Sequence, residues 1–102
     1  MGIAVDSIVS SGCIVSGGRV GNSVLSPDVR INSYCEIDRS ILFSHVNIGR
    51  NCLVRNAILD RDVWLPEGTI IGYDLIEDRK RFSVNEEGTV VVTPSDIEVL
   101  KK

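Results

Sequence analysis

Arg61 lies between Asp60 and Asp62, and Arg79, Lys80 and Arg81 form the densest positive run in the chain. A guanidinium presents a planar fork of donors that can engage two oxygens of one phosphate, so these four residues are the candidate ligands for an anion. The competing reading makes Arg61 a solvated arginine paired with a flanking aspartate and the basic run a solvated face. His45 is the only histidine. General acid–base work at neutral pH would fall to it, but one imidazole cannot supply the ligands of a metal centre. Cys13, Cys35 and Cys52 make an odd count without a C-x-x-C pair, which suits reduced thiols better than a disulfide framework or a zinc site. No glycine-rich phosphate loop opens a helix, and no cluster of carboxylates is placed to hold magnesium beside a nucleotide.

A repeat of 17 residues determines what must position these groups. Ile14-Val-Ser-Gly-Gly-Arg-Val20 aligns with Ile31-Asn-Ser-Tyr-Cys-Glu-Ile37, Ile48-Gly-Arg-Asn-Cys-Leu-Val54 and Leu65-Pro-Glu-Gly-Thr-Ile-Ile71. Aliphatic residues recur at steps of five, six and six from Ile3 through Ile8, Ile14, Val20, Leu25 and Ile31 to Ile71 and Ile76. Such a step is too long for a helical turn and fits a hexapeptide β-solenoid in which three short strands make one coil. These positions are expected to point inward. Second inward positions are expected at Gly18, Cys35, Cys52 and Thr69 on one face, and at Val24, Ile41, Ile58, Leu75 and Val29, Val46, Val63 on the others. Cys35 and Cys52 then stack in the interior as small hydrophobes. Cys13 and His45 fall at corners, where Gly and Asn would supply left-handed backbone angles. Trp64 points outward, which marks it as an interface residue.

The expected organisation is a β-helix over residues 1–76, followed by a connector, hairpin and short helix over 77–102 that cap the same domain. Glu77-Asp-Arg-Lys-Arg81 reads as a charged connector, Arg81–Val84 and Thr89–Thr93 as two strands around an Asn85–Gly88 turn. Thr93-Pro94-Ser95-Asp96 resembles a capping box before a helix ending at Lys101-Lys102.

At 102 residues the chain is one small domain, and 43% apolar with 25% charged residues is a globular balance. Five aromatic residues are few, so the core must be aliphatic. A net charge of −3 provides no cationic field for nucleic acid. No apolar run approaches a membrane span and no signal peptide opens the chain, so a cytoplasmic protein is expected.

The whole chain resembles the C-terminal left-handed β-helix of bacterial glucose-1-phosphate adenylyltransferase, also called ADP-glucose pyrophosphorylase. The hexapeptide repeat is shared with many acyltransferases. More specific are Ile58-Leu-Asp-Arg61, Pro66-Glu-Gly-Thr-Ile-Ile-Gly72, Glu77-Asp-Arg-Lys-Arg-Phe82 and Val90-Val-Val-Thr-Pro94. Handedness comes from this resemblance, since residue spacing does not set it and a left-handed crossover runs against the usual rule for parallel strands.

The resemblance implies a non-catalytic assembly and allosteric domain, isolated from a larger nucleotidyltransferase domain that joins glucose 1-phosphate to ATP in glycogen biosynthesis. Met1-Gly2 is then an added start. No cofactor is expected in this chain, and magnesium and ATP would belong to the catalytic domain. The implied partners are that domain, the other subunits of a homo- or hetero-tetramer, and an anionic sugar-phosphate effector such as fructose 1,6-bisphosphate. Within the family pattern, Arg61 matches the basic residue that contributes to activator binding. The family's basic tail positions appear here as Pro94 and Glu98, so that half of the site is not reproduced. Two rival readings are a trimeric hexapeptide acyltransferase using His45 as general base and a pure oligomerisation scaffold.

Overall fold

The computed structural model describes residues 2–100. Its first coil comprises β1 (Ile3–Val5), β2 (Ile8–Val9) and β3 (Ile14–Val15), and its second β4 (Arg19–Gly21), β5 (Val24–Leu25) and β6 (Arg30–Ile31). The third comprises β7 (Glu36–Asp38), β8 (Ile41–Leu42) and β9 (Asn47–Ile48), and the fourth β10 (Leu53–Arg55), β11 (Ala57–Leu59) and β12 (Trp64–Leu65). β13 (Ile70–Ile71) begins a fifth. Equivalent strands of successive coils pair in parallel and form the three walls of a prism, here called sheets A, B and C. This is the expected left-handed parallel β-helix of about four coils. Among the described residues no helix is long and apolar enough to cross a membrane.

The interior is an aliphatic stack. Val20, Ile37, Val54 and Ile71 line sheet A, Leu25, Leu42 and Leu59 sheet B, and Ile31, Ile48 and Leu65 sheet C, all buried. Burying each such side chain stabilises the fold by about 1.5–3 kcal/mol before chain entropy is counted. Every full coil turns its corners through one left-handed residue, with φ between 48° and 80°. The first corner stacks Asp6, Asn22, Arg39 and Asn56, the second Gly12, Asp28, His45 and Asp62, and the third Gly17, Tyr34, Asn51 and Gly68.

The structure corrects three expectations about facing. First, Ile3, Ile8 and Ile14 point outward and are exposed, and Ala4 and Val15 continue the ladders of Val20 and Ile31. The first coil pairs with the second at an offset of 16 residues, whereas later coils pair at 17. The missing residue falls at the third corner, where Gly17 and Gly18 turn the chain in one residue fewer than Ser33-Tyr34-Cys35. A Cβ at Gly18 would stand only 2.8 Å from the Cys35 carbonyl oxygen, so the tight turn requires glycine there.

Second, Val24 and Ile41 are outward and exposed, and Ile58 is half-buried. The inward positions at that corner are Ser23, Ser40 and Ala57. The serine hydroxyls satisfy the backbone that turns the corner. Ser7, Ser23 and Ser40 Oγ donate to the carbonyls of Val5, Gly21 and Asp38 at 2.9, 2.7 and 2.8 Å. They accept the N–H groups of Ser23, Ser40 and Ala57 on the next coil at 3.1, 3.1 and 3.3 Å.

Third, Ile76 is not a core position but is 70% exposed on a helix. The chain leaves the solenoid after Gly72 and forms α1 (Leu75–Arg81) where a charged connector is expected. Asp74 caps it, accepting the N–H groups of Ile76 and Glu77 at 3.1 and 3.3 Å.

β14 (Ser83–Val84) and β15 (Val90–Val92) form the expected antiparallel hairpin. β15 also pairs in parallel with β11, matching Leu59 with Val92, and so supplies the sheet B strand that the chain omits when it leaves for α1. α2 (Pro94–Leu100) follows. The Asp96 carboxylate accepts the Thr93 N–H at 2.9 Å and its hydroxyl at 3.1 Å. The expected helix end at Lys101-Lys102 lies outside the described residues.

Candidate functional site

Arg61 stands in the second corner, immediately after β11. Its backbone N–H is held by the Asp60 carboxylate at 2.8 Å, and Asp62 is the corner's left-handed residue. The Arg61 guanidinium has no ion pair or hydrogen bond among the described residues. The flanking aspartates therefore shape the corner and form no ion pair with the arginine. β15 carries the chain directly over this corner, with Asp60 N–H donating to the Val92 carbonyl at 2.9 Å. Pro94 stands two residues beyond Val92 as Arg61 stands two beyond its partner Leu59. The chain thus passes over this corner just before α2 begins at Pro94, and the two tail positions Pro94 and Glu98 carry no cation.

The basic run is divided between roles. Arg81 donates to the Asp78 carboxylate at 2.9 Å and to the Ile70 carbonyl at 2.8 Å, and stacks on Phe82. Asp78 is 1% exposed and also accepts the Gly72 N–H at 2.8 Å. This pair fastens α1 to the end of the solenoid, and Arg81 is committed to it. Lys80 pairs with Glu77 at 3.0 Å on the surface, and Arg79 is exposed. The groove beside Arg81 is walled by Pro66, Glu67, Ile70, Asp74 and Glu77, but not by Arg61, Arg79 or Lys80. Nothing in this arrangement joins the run to Arg61 in one site.

Sequence reasoning missed Asp78 because its partner, a backbone N–H six residues earlier, belongs to a different element. Asp74 before an apolar pair and two acids was a helix-start signal that could have been read. The stack of Arg55 on Tyr73, 4.1 Å from guanidinium carbon to ring centre, was also missed.

Trp64 is outward and 59% exposed, in the sheet C column above Asn47, Arg30 and Ile14. His45 is exposed in the second corner between Asp28 and Asp62. Cys35 and Cys52 are buried and stacked, their thiols donating to the carbonyls of Gly49 at 3.0 Å and Pro66 at 3.2 Å. A hydrogen bond available from Cys52 lowers the Cys35 pKa to about 7, and the same contact together with burial pushes Cys52 up. Cys13 is half-buried against the core and donates to the Ser26 carbonyl at 3.1 Å. No group of three or more His, Cys, Asp or Glu among the described residues could hold a metal ion.

Residues 1–92 match the family described as GlmU-like, C-terminal hexapeptide. The chain is 63% identical over 93 residues to a glucose-1-phosphate adenylyltransferase of Koribacter versatilis, covering 91% of this chain and 22% of that protein. It is 58% identical over 92 residues to the enzyme of the same name from an Anaeromyxobacter species, covering 90% of this chain and 22% of that protein. With that of Pectobacterium carotovorum it shares 50% over 99 residues, or 97% of this chain and 23% of that protein. The chain thus spans less than a quarter of the length of the curated relatives it matches. The stacked coils and the match over residues 1–92 place this chain in the GlmU-like C-terminal hexapeptide family.

Proposed function

We propose that this chain is the assembly and allosteric regulatory part of a glucose-1-phosphate adenylyltransferase. The groups that join glucose 1-phosphate to ATP would lie in the remainder of that enzyme, since the chain matches 22% of its relatives' length. The name shared by relatives at 63% and 58% identity supports the parent activity. Its location would be the cytoplasm, and its partners the catalytic domain of the same protein and the other subunits of a homo- or hetero-tetramer. Magnesium and ATP would bind in that catalytic domain. The described residues offer no carboxylate cluster for the metal, so no catalytic step is assigned to them.

The observation that carries the regulatory reading is the Arg61 guanidinium, which has no ion pair or hydrogen bond among the described residues, on a backbone-fixed corner under the end of β15. A forked donor on a backbone-fixed corner, without a counter-ion among the described residues, is suited to a phosphate of a sugar-phosphate activator. Arg79 and Lys80 would add only long-range attraction, and Arg81 acts through Asp78 on α1.

The test uses the full-length enzyme and follows pyrophosphate release while fructose 1,6-bisphosphate is titrated. Arg61→Ala should raise the activator concentration for half-maximal effect by about tenfold, as expected for loss of a charge-assisted hydrogen bond. Identical activation curves would leave the chain a scaffold. Pyrophosphate release by the 102-residue chain alone would overturn the claim that it is non-catalytic.

A further inference from the structure

The outward face of sheet C carries the column Ile14, Arg30, Asn47 and Trp64, each the register partner of the next. Parallel strands set these residues about 4.8 Å apart. Alongside stands the second corner column of Gly12, Asp28, His45 and Asp62. Between the two columns runs a shallow groove of about 620 Å³ lined by residues of both. We propose that this groove binds a neutral carbohydrate, with the Trp64 ring as stacking platform and Asn47, His45, Arg30 and Asp62 as partners for its hydroxyls.

Three observations lead to that ligand class. Tyr34, Tyr73 and Phe82 each carry an arginine over the ring, at 5.7, 4.1 and 4.8 Å from its centre, whereas Trp64 has no cation on its face among the described residues. An exposed aromatic surface on a sheet is suited to the C–H face of a sugar ring, which is flat and apolar like the indole.

The polar groups around the ring are also uncommitted. The side chains of Arg30, His45 and Asp62 have no hydrogen bond or ion pair among the described residues. Asn47 uses only its carbonyl oxygen, which accepts from Asn32 at 3.2 Å, and keeps two N–H donors. Donors and acceptors thus occur together, as a rim of hydroxyls needs. The lining charges, one arginine against Asp28 and Asp62, do not favour an anion, so a nucleotide or sugar phosphate fits this groove poorly.

The platform is also preorganised. His45 and Asp62 donate their N–H groups to the carbonyls of Pro27 and Ser44 on the coil below, at 3.3 and 3.1 Å. Ligand binding therefore orders little new backbone. Arg61 does not line the groove, so this inference stands apart from the regulatory reading.

Trp64 is the chain's only tryptophan, so its fluorescence reports on the proposed site alone. Titration of the 102-residue chain with maltoheptaose and cellohexaose should give a saturable emission change with at least one of them, and none with inorganic phosphate. Asn47→Ala should weaken that binding about three- to tenfold, the effect of losing a hydrogen-bonding side chain. Trp64→Ala, followed by calorimetry, should weaken it by about tenfold or more with unchanged circular dichroism. Arg61→Ala should bind sugar as the parent chain does. No saturable change with either oligosaccharide up to about 10 mM would overturn the proposal, since that range includes weak specific binding. So would a response to phosphate alone, or an emission shift that follows protein concentration without sugar, which would assign Trp64 to a contact between copies.

Discussion

Asp78 accepts the backbone N–H of Gly72 at 2.8 Å, so the first helix is tied to the residue at which the chain leaves the solenoid. The same carboxylate holds Arg81 at 2.9 Å, and Arg81 reaches back to the Ile70 carbonyl at 2.8 Å. Removing the carboxylate leaves a buried N–H and a partly buried guanidinium without their partner. Asp78→Ala should therefore destabilise the fold by about 3 kcal/mol in urea unfolding. Asp78→Asn keeps an acceptor and should cost less. Equal stability of Asp78→Ala and the parent chain would show that α1 is not fastened in this way.

Gly72 and Gly68 separate two reasons for a glycine. Both have left-handed backbone, with φ of +87° and +78°. A Cβ at Gly68 meets open space, whereas one at Gly72 is driven into the Arg55 carbonyl. Gly68→Ala should then cost about 1 kcal/mol, the conformational term alone. Gly72→Ala adds a collision with backbone that cannot rotate away and should cost about 2–4 kcal/mol. Similar unfolding midpoints for the two variants would contradict the close approach of the fourth and fifth coils.

The coil architecture was legible because one rule, an inward aliphatic every five or six residues, repeats too often to be overlooked. The facing of the first coil was not. Ile3-Ala-Val5, Ile8-Val9 and Ile14-Val15 each carry adjacent apolar residues, so a one-residue shift still yields an aliphatic column, and only the short Gly17-Gly18 corner decides between them. The serine ladder was hidden for a related reason. Val24, Ile41 and Ile58 look like core by residue type, whereas small hydroxyls fill the space at that corner and satisfy its backbone. The position of Arg61 was readable from its motif, but its freedom from Asp60 and Asp62 depends on side-chain directions that spacing does not determine.

That reversal of facing can be measured at three consecutive residues. Ser40→Ala removes both the acceptor of the Ala57 N–H and the donor to the Asp38 carbonyl, and should cost about 1–3 kcal/mol. Leu42→Ala opens a cavity in the interior stack and should cost about 2–5 kcal/mol. Ile41→Ala, on the solvated side, should cost only about 1 kcal/mol through weaker strand preference. If Ile41→Ala proved as damaging as Leu42→Ala, Ile41 would have to be a core residue.

The stacked thiols of Cys35 and Cys52 should leave a signature in the pH dependence of stability. When Cys35 ionises, Cys52 can turn its S–H from the Pro66 carbonyl toward the thiolate, which lowers Cys35 to about 7 from an ordinary value of 9.0. A lowered folded-state pKa contributes stability that grows as pH rises from about 7 toward 9. Cys52 is shifted the other way by the same contact and by burial, so its contribution is complete below its ordinary value of 9.0 and is lost as pH rises above it. The free energy of urea unfolding should therefore climb between about pH 7 and pH 9 and decline above that. Cys52→Ala deprives Cys35 of its donor and removes the second titration, so its profile should be flatter on both limbs, whatever its absolute stability. Parallel profiles for Cys52→Ala and the parent chain from about pH 6 to about pH 9 would show that Cys52 does not lower the Cys35 pKa.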